Sequence, residues 1–125
     1  MILLYVAIGS AFGGVSRFLV GGFVQTRTAL SFPVGTLLIN VTGSFLLGFL
    51  ARYVTVEAGF APETRALLTV GFCGGYTTFS TFSYESLQLI EQGEIGKGGA
   101  YMVLSVALAL AATIAGALLA RTVAE

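Results

Sequence analysis

The sequence predicts an all-α membrane protein, with four transmembrane helices in a single domain spanning residues 1–125. Three observations predict it. First, 56% of the residues are hydrophobic and only 10% are charged, with a mean hydropathy of +0.93. A soluble domain of this length needs far more charge to cover its surface. Second, four stretches, roughly 2–24, 32–51, 66–90 and 100–120, are mostly apolar. Each is close to the about 20 residues that cross about 30 Å of hydrocarbon. Third, barrel strands alternate apolar and polar residues over about 10 positions, and "LSVALALAATIAGALLA" does not alternate.

The first segment, "ILLYVAIGSAFGGVSRFLVGGFV", carries the small pair Gly9/Gly13 and one arginine, Arg17. "QTRTALS" ends it. The second, within "FPVGTLLINVTGSFLLG", carries Ser44/Gly48. Its Thr36, Asn40 and Ser44 stand at i, i+4 and i+8 and so share a helix face. "RYVTVEAGFAPETR" separates it from the third segment, which holds "GFCGGYTTFSTFSYE" and the pair Gly71/Gly75. After "EQGEIGKGG" comes the fourth, with Ala112/Gly116 and a polar stripe of Tyr101, Ser105 and Thr113. The linkers are short, which predicts antiparallel neighbours. Small-xxx-small pairs let helix backbones approach closely in lipid, and that is the plain reading of most glycines.

Composition excludes several classes. Net charge is zero, so there is no basic footprint for nucleic acid. There is no His, Asp or Trp, and Asn40 is the one Asn. The usual kit for metal or acid–base catalysis is nearly absent, and nothing resembles an activated nucleophile with its base. An enzyme is therefore not expected. The lone Cys73 makes no disulfide framework. "MILLYVAIGS" lacks the basic start and cleavage pattern of a secretory signal.

Cytoplasmic loops normally carry excess Lys and Arg. With four spans, one side holds Arg52, Arg65 and Arg121, and the other Arg27 and Lys97. That bias is nearly nil. It is compatible with insertion in both directions and pairing of opposed copies, and also with a fixed topology.

Ionisable groups within a membrane are expensive and usually functional. Arg17 either snorkels to a headgroup or draws an anion into a vestibule. Glu85 is either a packed acid or a gate for ions. Asn40 either hydrogen-bonds another helix or offers its amide N–H₂ to an anion. "CGGYTT" is a poor continuous helix, since paired glycines and β-branched threonines both weaken it. A break is expected over residues 73–79. Broken backbone survives in lipid only where protein or water satisfies it. Its carbonyls can ligate a small cation and its N–H groups an anion. Beyond it, Phe79 and Phe82 lie at i, i+3. An aromatic ring has a positive edge, so it can meet an anion without a formal charge.

These residues carry a resemblance. "GFCGGYTTFSTFSYE" resembles the signature of the Fluc fluoride channels, also called CrcB proteins. "GGVSRF", "FPVGTLLINVTGSFLLG" and, more weakly, "YMVLSVALALA" resemble the family's motifs in the other helices. The resemblance covers essentially the whole chain. It implies a multi-pass protein of the cell (inner) membrane that exports fluoride passively and excludes chloride. It implies an antiparallel, dual-topology homodimer with two parallel pores. By motif, Phe79 and Phe82 are the pore phenylalanines and Asn40 the pore amide. Thr78, Ser80 and Thr81 fall in the same signature. Tyr101 and Ser105 begin a polar track that Thr113 continues, although Ala109 stands where some members carry a hydroxyl. Arg17 matches the vestibule arginine and Glu85 the acid near one pore end. Gly74 and Thr77 are implied to ligate a structural Na⁺ through their backbone carbonyls.

Two rivals stand beside this reading. A small dual-topology multidrug-type transporter needs a carboxylate in the membrane, typically in helix 1, and helix 1 here has none. A membrane assembly subunit explains the glycines but not a break beside paired phenylalanines.

Overall fold

The computed structural model describes residues 1–28, 31–56 and 59–124; parts of the first two linkers lie outside these. Among the described residues the chain is helical, with no strand. Helix α1 spans Ile2–Thr26, α2 Val34–Val56 and α6 Ile95–Ala124. These three are long and apolar enough to cross a membrane, with mean hydropathy of 1.6, 1.8 and 2.4 over their most apolar windows. Their outward faces are greasy: Phe12, Phe18, Val103 and Leu110 are all exposed. In water such a surface would be unfavourable at about 25 cal/mol per Å². The chain is an integral membrane protein.

The segment between α2 and α6 is built in pieces. Helix α3 is Pro62–Ala66, followed by a π-helical stretch, π1, over Leu67–Cys73, then the short α4, Gly74–Tyr76. Pro62 stands at the start of α3, where its missing N–H costs nothing. Thr77 and Thr78 are extended, with φ/ψ of −84°/158° and −149°/120°. Helix α5 then runs over Phe79–Glu91. The sequence reading placed the loss of helix over residues 73–79. Here Gly74 is helical, with φ −63° and ψ −38°, and the extended backbone is confined to the two threonines. Paired glycine therefore does not end the helix. The end is set by competing hydrogen bonds at Thr78, described below.

Two close crossings organise the packing. A methyl group on Gly9 would meet the Leu67 carbonyl oxygen, and one on Gly13 the Phe72 carbonyl oxygen. From the other side, a methyl on Gly75 would lie 2.7 Å from Ser10 O. Thus α1 seats against π1 and α4 backbone to backbone. Likewise a methyl on Gly48 would strike Thr113 O, and one on Gly116 would strike Phe45 O. That crossing joins α2 to α6, the largest helix–helix contact in the chain. The glycines of the small-residue pairs read from the sequence are contact points of these two crossings.

Candidate functional site

At the interruption, backbone groups that a helix would pair internally find other partners. Thr78 N–H donates to Asn40 Oδ1 at 2.8 Å, and Asn40 Nδ2 donates to Thr78 O at 3.1 Å. The Asn40 side chain thus pairs both polar groups of one extended residue, as a neighbouring strand would. Below it, the N–H and the hydroxyl of Thr77 both donate to Cys73 O, at 3.0 and 2.9 Å. Above it, Thr81 N–H donates to Thr78 Oγ1 at 3.2 Å, which caps α5. Thr78 Oγ1 donates in turn to Thr81 Oγ1 at 3.1 Å. Arg17 Nε donates to Gly75 O at 3.3 Å, across from α1. Arg17 is therefore tied to the interrupted segment rather than extended along its own helix.

The carbonyls of Gly74, Gly75, Tyr76 and Thr77 lose their usual helical donors here, and Gly75 O is taken up by Arg17. The usual helical donor to Gly74 O is Thr78 N–H, which is bound to Asn40. The usual donor to Thr77 O is Thr81 N–H, which is bound to Thr78 Oγ1. The two residues that the family resemblance implies as Na⁺ ligands thus present carbonyls without their helical partners, so the residues fit such an ion. Gly74 is exposed, and a methyl there would meet nothing in this chain nearer than 4.0 Å. Its lack of a side chain answers no need of its own fold. Among the described residues no cluster of His, Cys, Asp or Glu stands ready for a divalent cation, which carboxylates would normally bind.

Beside the interruption lies a cavity of about 230 Å³, lined among others by Asn40, Ser44, Thr78, Phe79, Phe82 and Ser105. Phe79 and Phe82 sit with ring centroids 5.6 Å apart. Phe82 also contacts Tyr101, at 5.2 Å. Ser105 is 6% exposed, and its Oγ is the one buried side-chain polar atom among the described residues with no hydrogen-bond partner. A buried hydroxyl left unpaired costs about 1–3 kcal/mol and asks for an explanation. Asn40 uses one of its two amide N–H groups on Thr78, which leaves the second for the cavity.

Thr78 also lines a larger cavity of about 590 Å³, with Arg17, Thr36, Thr81 and Glu85 on its walls. Glu85 is half-buried there and doubly held. Tyr101 Oη donates to its Oε1 at 2.8 Å, and Thr36 Oγ1 to its Oε2 at 3.0 Å. The stripe Thr36, Asn40, Ser44 therefore meets Glu85, Thr78 and the smaller cavity in turn.

Not every sequence candidate arrives at the site. Thr113 donates to Ala109 O at 2.9 Å within α6 and lines neither cavity. Ala109, one turn beyond Ser105, lines the smaller cavity. Ser80 is exposed on α5, 3.5 Å from Thr78 Oγ1, and lines neither cavity. The sequence reading missed Gln25, which lines the larger cavity and a third one of about 230 Å³. It stands at the start of a polar linker motif, where nothing distinguishes it from a boundary residue.

An interrupted helical segment with polar groups and aromatic rings gathered beside small cavities defines a class: a small helical integral membrane protein. Comparison with known proteins narrows the class. The family model described as "CrcB-like protein, Camphor Resistance (CrcB)" matches residues 4–117, and the chain belongs to the CrcB family. It is 48% identical over 119 residues to a protein of Rhizobium meliloti (strain 1021) named fluoride-specific ion channel FluC, covering 95% of each chain. A Nitrobacter hamburgensis protein named fluoride-specific ion channel FluC 1 is 47% identical over 95% of this chain and 94% of its own. A protein of Hahella chejuensis with the FluC name is 46% identical over 97% and 95%.

Proposed function

We propose that the chain is the subunit of a fluoride-selective ion channel that lets fluoride leave the cell passively across the inner membrane. The observation that carries this is the unpaired, buried hydroxyl of Ser105, a residue that lines a cavity together with Asn40, Phe79 and Phe82. The full-length similarity to proteins named fluoride-specific ion channels supports the same reading.

The chemistry follows from the donors. Fluoride is the smallest halide and the strongest hydrogen-bond acceptor among them. It gives up its water only where compact donors replace it. Ser105 Oγ–H and the second Asn40 N–H are such donors, and both are neutral. The edges of Phe79 and Phe82 add weak positive potential. A fixed positive charge at the same place would hold the ion too tightly to release it. Chloride is larger and accepts hydrogen bonds more weakly, so it recovers less of its hydration there. Thr78 joins the smaller cavity to the larger one, where Arg17 favours anions at one end of the path and Glu85 stands at the other.

Phe79 is 78% exposed and Gly74 is open. Both are explained by a second, inverted copy that covers this face. The segment from α3 through α5 then acts as a fourth span, interrupted midway, and the homodimer has two paths. The carbonyls of Gly74 and Thr77, from each copy, would hold a structural Na⁺ between them. When bound, that ion supplies positive potential without offering an acidic side chain to the path.

Purified protein in liposomes is expected to release fluoride down a gradient, measured with a fluoride electrode, and to release chloride barely at all. Comparable chloride flux would remove the selectivity claim, and no flux of either would favour an assembly subunit. Dual topology makes a separate expectation. A single cysteine placed in the Gln92–Gly93 turn, in a Cys73→Ser background, should be labelled by an impermeant maleimide from both sides of the cell membrane. Labelling from one side only would mean that all copies insert the same way.

A further inference from the structure

We infer that Gln25 is a positioning residue for the ion path, holding both hydroxyls that grip Glu85. This rests on the reading of Glu85 and Tyr101 as part of that path. Gln25 lies in the last turn of α1, half-buried. Its Nε2 donates to Phe32 O at 3.1 Å, and its Oε1 accepts from Gly35 N–H at 2.9 Å. A carbonyl can only accept and a backbone N–H can only donate, so these partners fix which end of the amide is which.

Each of these bonds leads to Glu85. Phe32 sets its ring edge-on to Tyr101, with centroids 5.5 Å apart and planes at 86°. Tyr101 is fully buried, and its hydroxyl donates to Glu85 Oε1. Along the other arm, Gly35 is followed directly by Thr36, whose hydroxyl donates to Glu85 Oε2. One amide therefore fixes the entry to α2 and the brace behind Tyr101 together. Gln25 and Glu85 are also the two residues that line both the larger cavity and the third one. The pair stands where the path would pass from one to the other. A residue acting only as a linker anchor would need neither arm to end on Glu85.

The test compares Gln25→Met, which keeps length and loses both hydrogen bonds, with the wild-type dimer. Fluoride flux per dimer is read in liposomes. The environment of residue 101 is read independently, from the ¹⁹F signal of a 3-fluorotyrosine placed there. Flux is expected to fall roughly three- to tenfold, the scale of coupling between residues in one hydrogen-bonded network, while the ¹⁹F signal shifts and the dimer persists. Wild-type flux overturns the inference. So does reduced flux with an unmoved signal, because Gln25 would then act elsewhere. If Gln25→Met does not assemble, Gln25→Leu removes the same two hydrogen bonds without adding a charge beside Glu85. The same two readouts then decide in the same way. Tyr101→Phe, run alongside, separates this claim from the one beneath it. Reduced flux in Tyr101→Phe with normal flux in Gln25→Met overturns the role of Gln25 alone. Full flux in Tyr101→Phe removes the pore role of Tyr101, and the inference with it.

Discussion

Asn40→Ala is expected to abolish most fluoride flux and to weaken the dimer in the same step. The side chain does two things that alanine cannot. It pairs the N–H and C=O of Thr78, and it leaves a second amide N–H for the smaller cavity. Each backbone group stranded by the change costs about 1–3 kcal/mol. Thr78 has a way to recover one of them. Its N–H can return to Gly74 O, its ordinary helical partner. That return would extend the helix through the interruption and withdraw the Gly74 carbonyl from the proposed Na⁺. Two measurements follow. Flux should fall by about 100-fold or more, the usual loss when one preorganised donor is removed from a dry site. If Na⁺ binds as proposed, dimer stability is expected to rise with Na⁺ in the wild type through mass action and to lose that dependence in the variant. Asn40→Asp is the sharper form. It keeps the acceptor for Thr78 N–H but sets an oxygen against Thr78 O and a negative charge on the cavity. Wild-type flux in both variants would reduce Asn40 to a packing residue. A wild-type dimer indifferent to Na⁺ would remove the cation site.

How far the sequence carries depends on the range of the interaction. Apolar stretches and small-residue spacing are local, and they suffice to find α1, α2 and α6 and the glycines where helices cross. The pairing of Asn40 with Thr78 joins residues 38 apart in sequence. It depends on the crossing of two helices and has no local signal beyond an amide in an apolar run. Thr113 shows how quickly spacing by four drifts around a helix. Steps of four exceed one helical turn by about 40°, so three steps from Tyr101 carry a residue about 120° round the helix. Tyr101 reaches Glu85 and Ser105 lines the smaller cavity, whereas Thr113 bonds to its own helix. The glycines of "CGGYTT" mislead differently. They suggest a break where the backbone stays helical, because a close crossing and an open outward face use small residues as a break does. Gln25 was invisible for a third reason: its importance lies in what its two partners touch.

Phe82 separates a packing role from an electrostatic one, and its variants are expected to diverge. Its ring contacts Phe79 and Tyr101 and lines the smaller cavity. Phe82→Ala removes that contact and leaves space beneath Tyr101. Truncations of this kind in a packed site cost roughly 3–5 kcal/mol. Tyr101 would lose its neighbour on one side, and its hydroxyl would no longer be held firmly on Glu85. Loss of flux in Phe82→Ala therefore does not by itself implicate the ring edge. Phe82→Ile keeps most of the volume and removes the quadrupole. Its packing cost should stay under about 1.5 kcal/mol, so the dimer should assemble and melt close to the wild type. Yet fluoride passing the cavity would meet an aliphatic side chain with no positive rim. Its desolvation would then fall to Ser105 and Asn40 alone. Fluoride flux is therefore expected to drop by about tenfold or more in Phe82→Ile, a barrier increase of about 1.4 kcal/mol, with the dimer intact. Wild-type flux in Phe82→Ile would show that the ring serves as filler beside Tyr101. A parallel loss of dimer and flux would place Phe82 in the packing that supports the path. Only the split result, an intact dimer that conducts poorly, requires the aromatic edge.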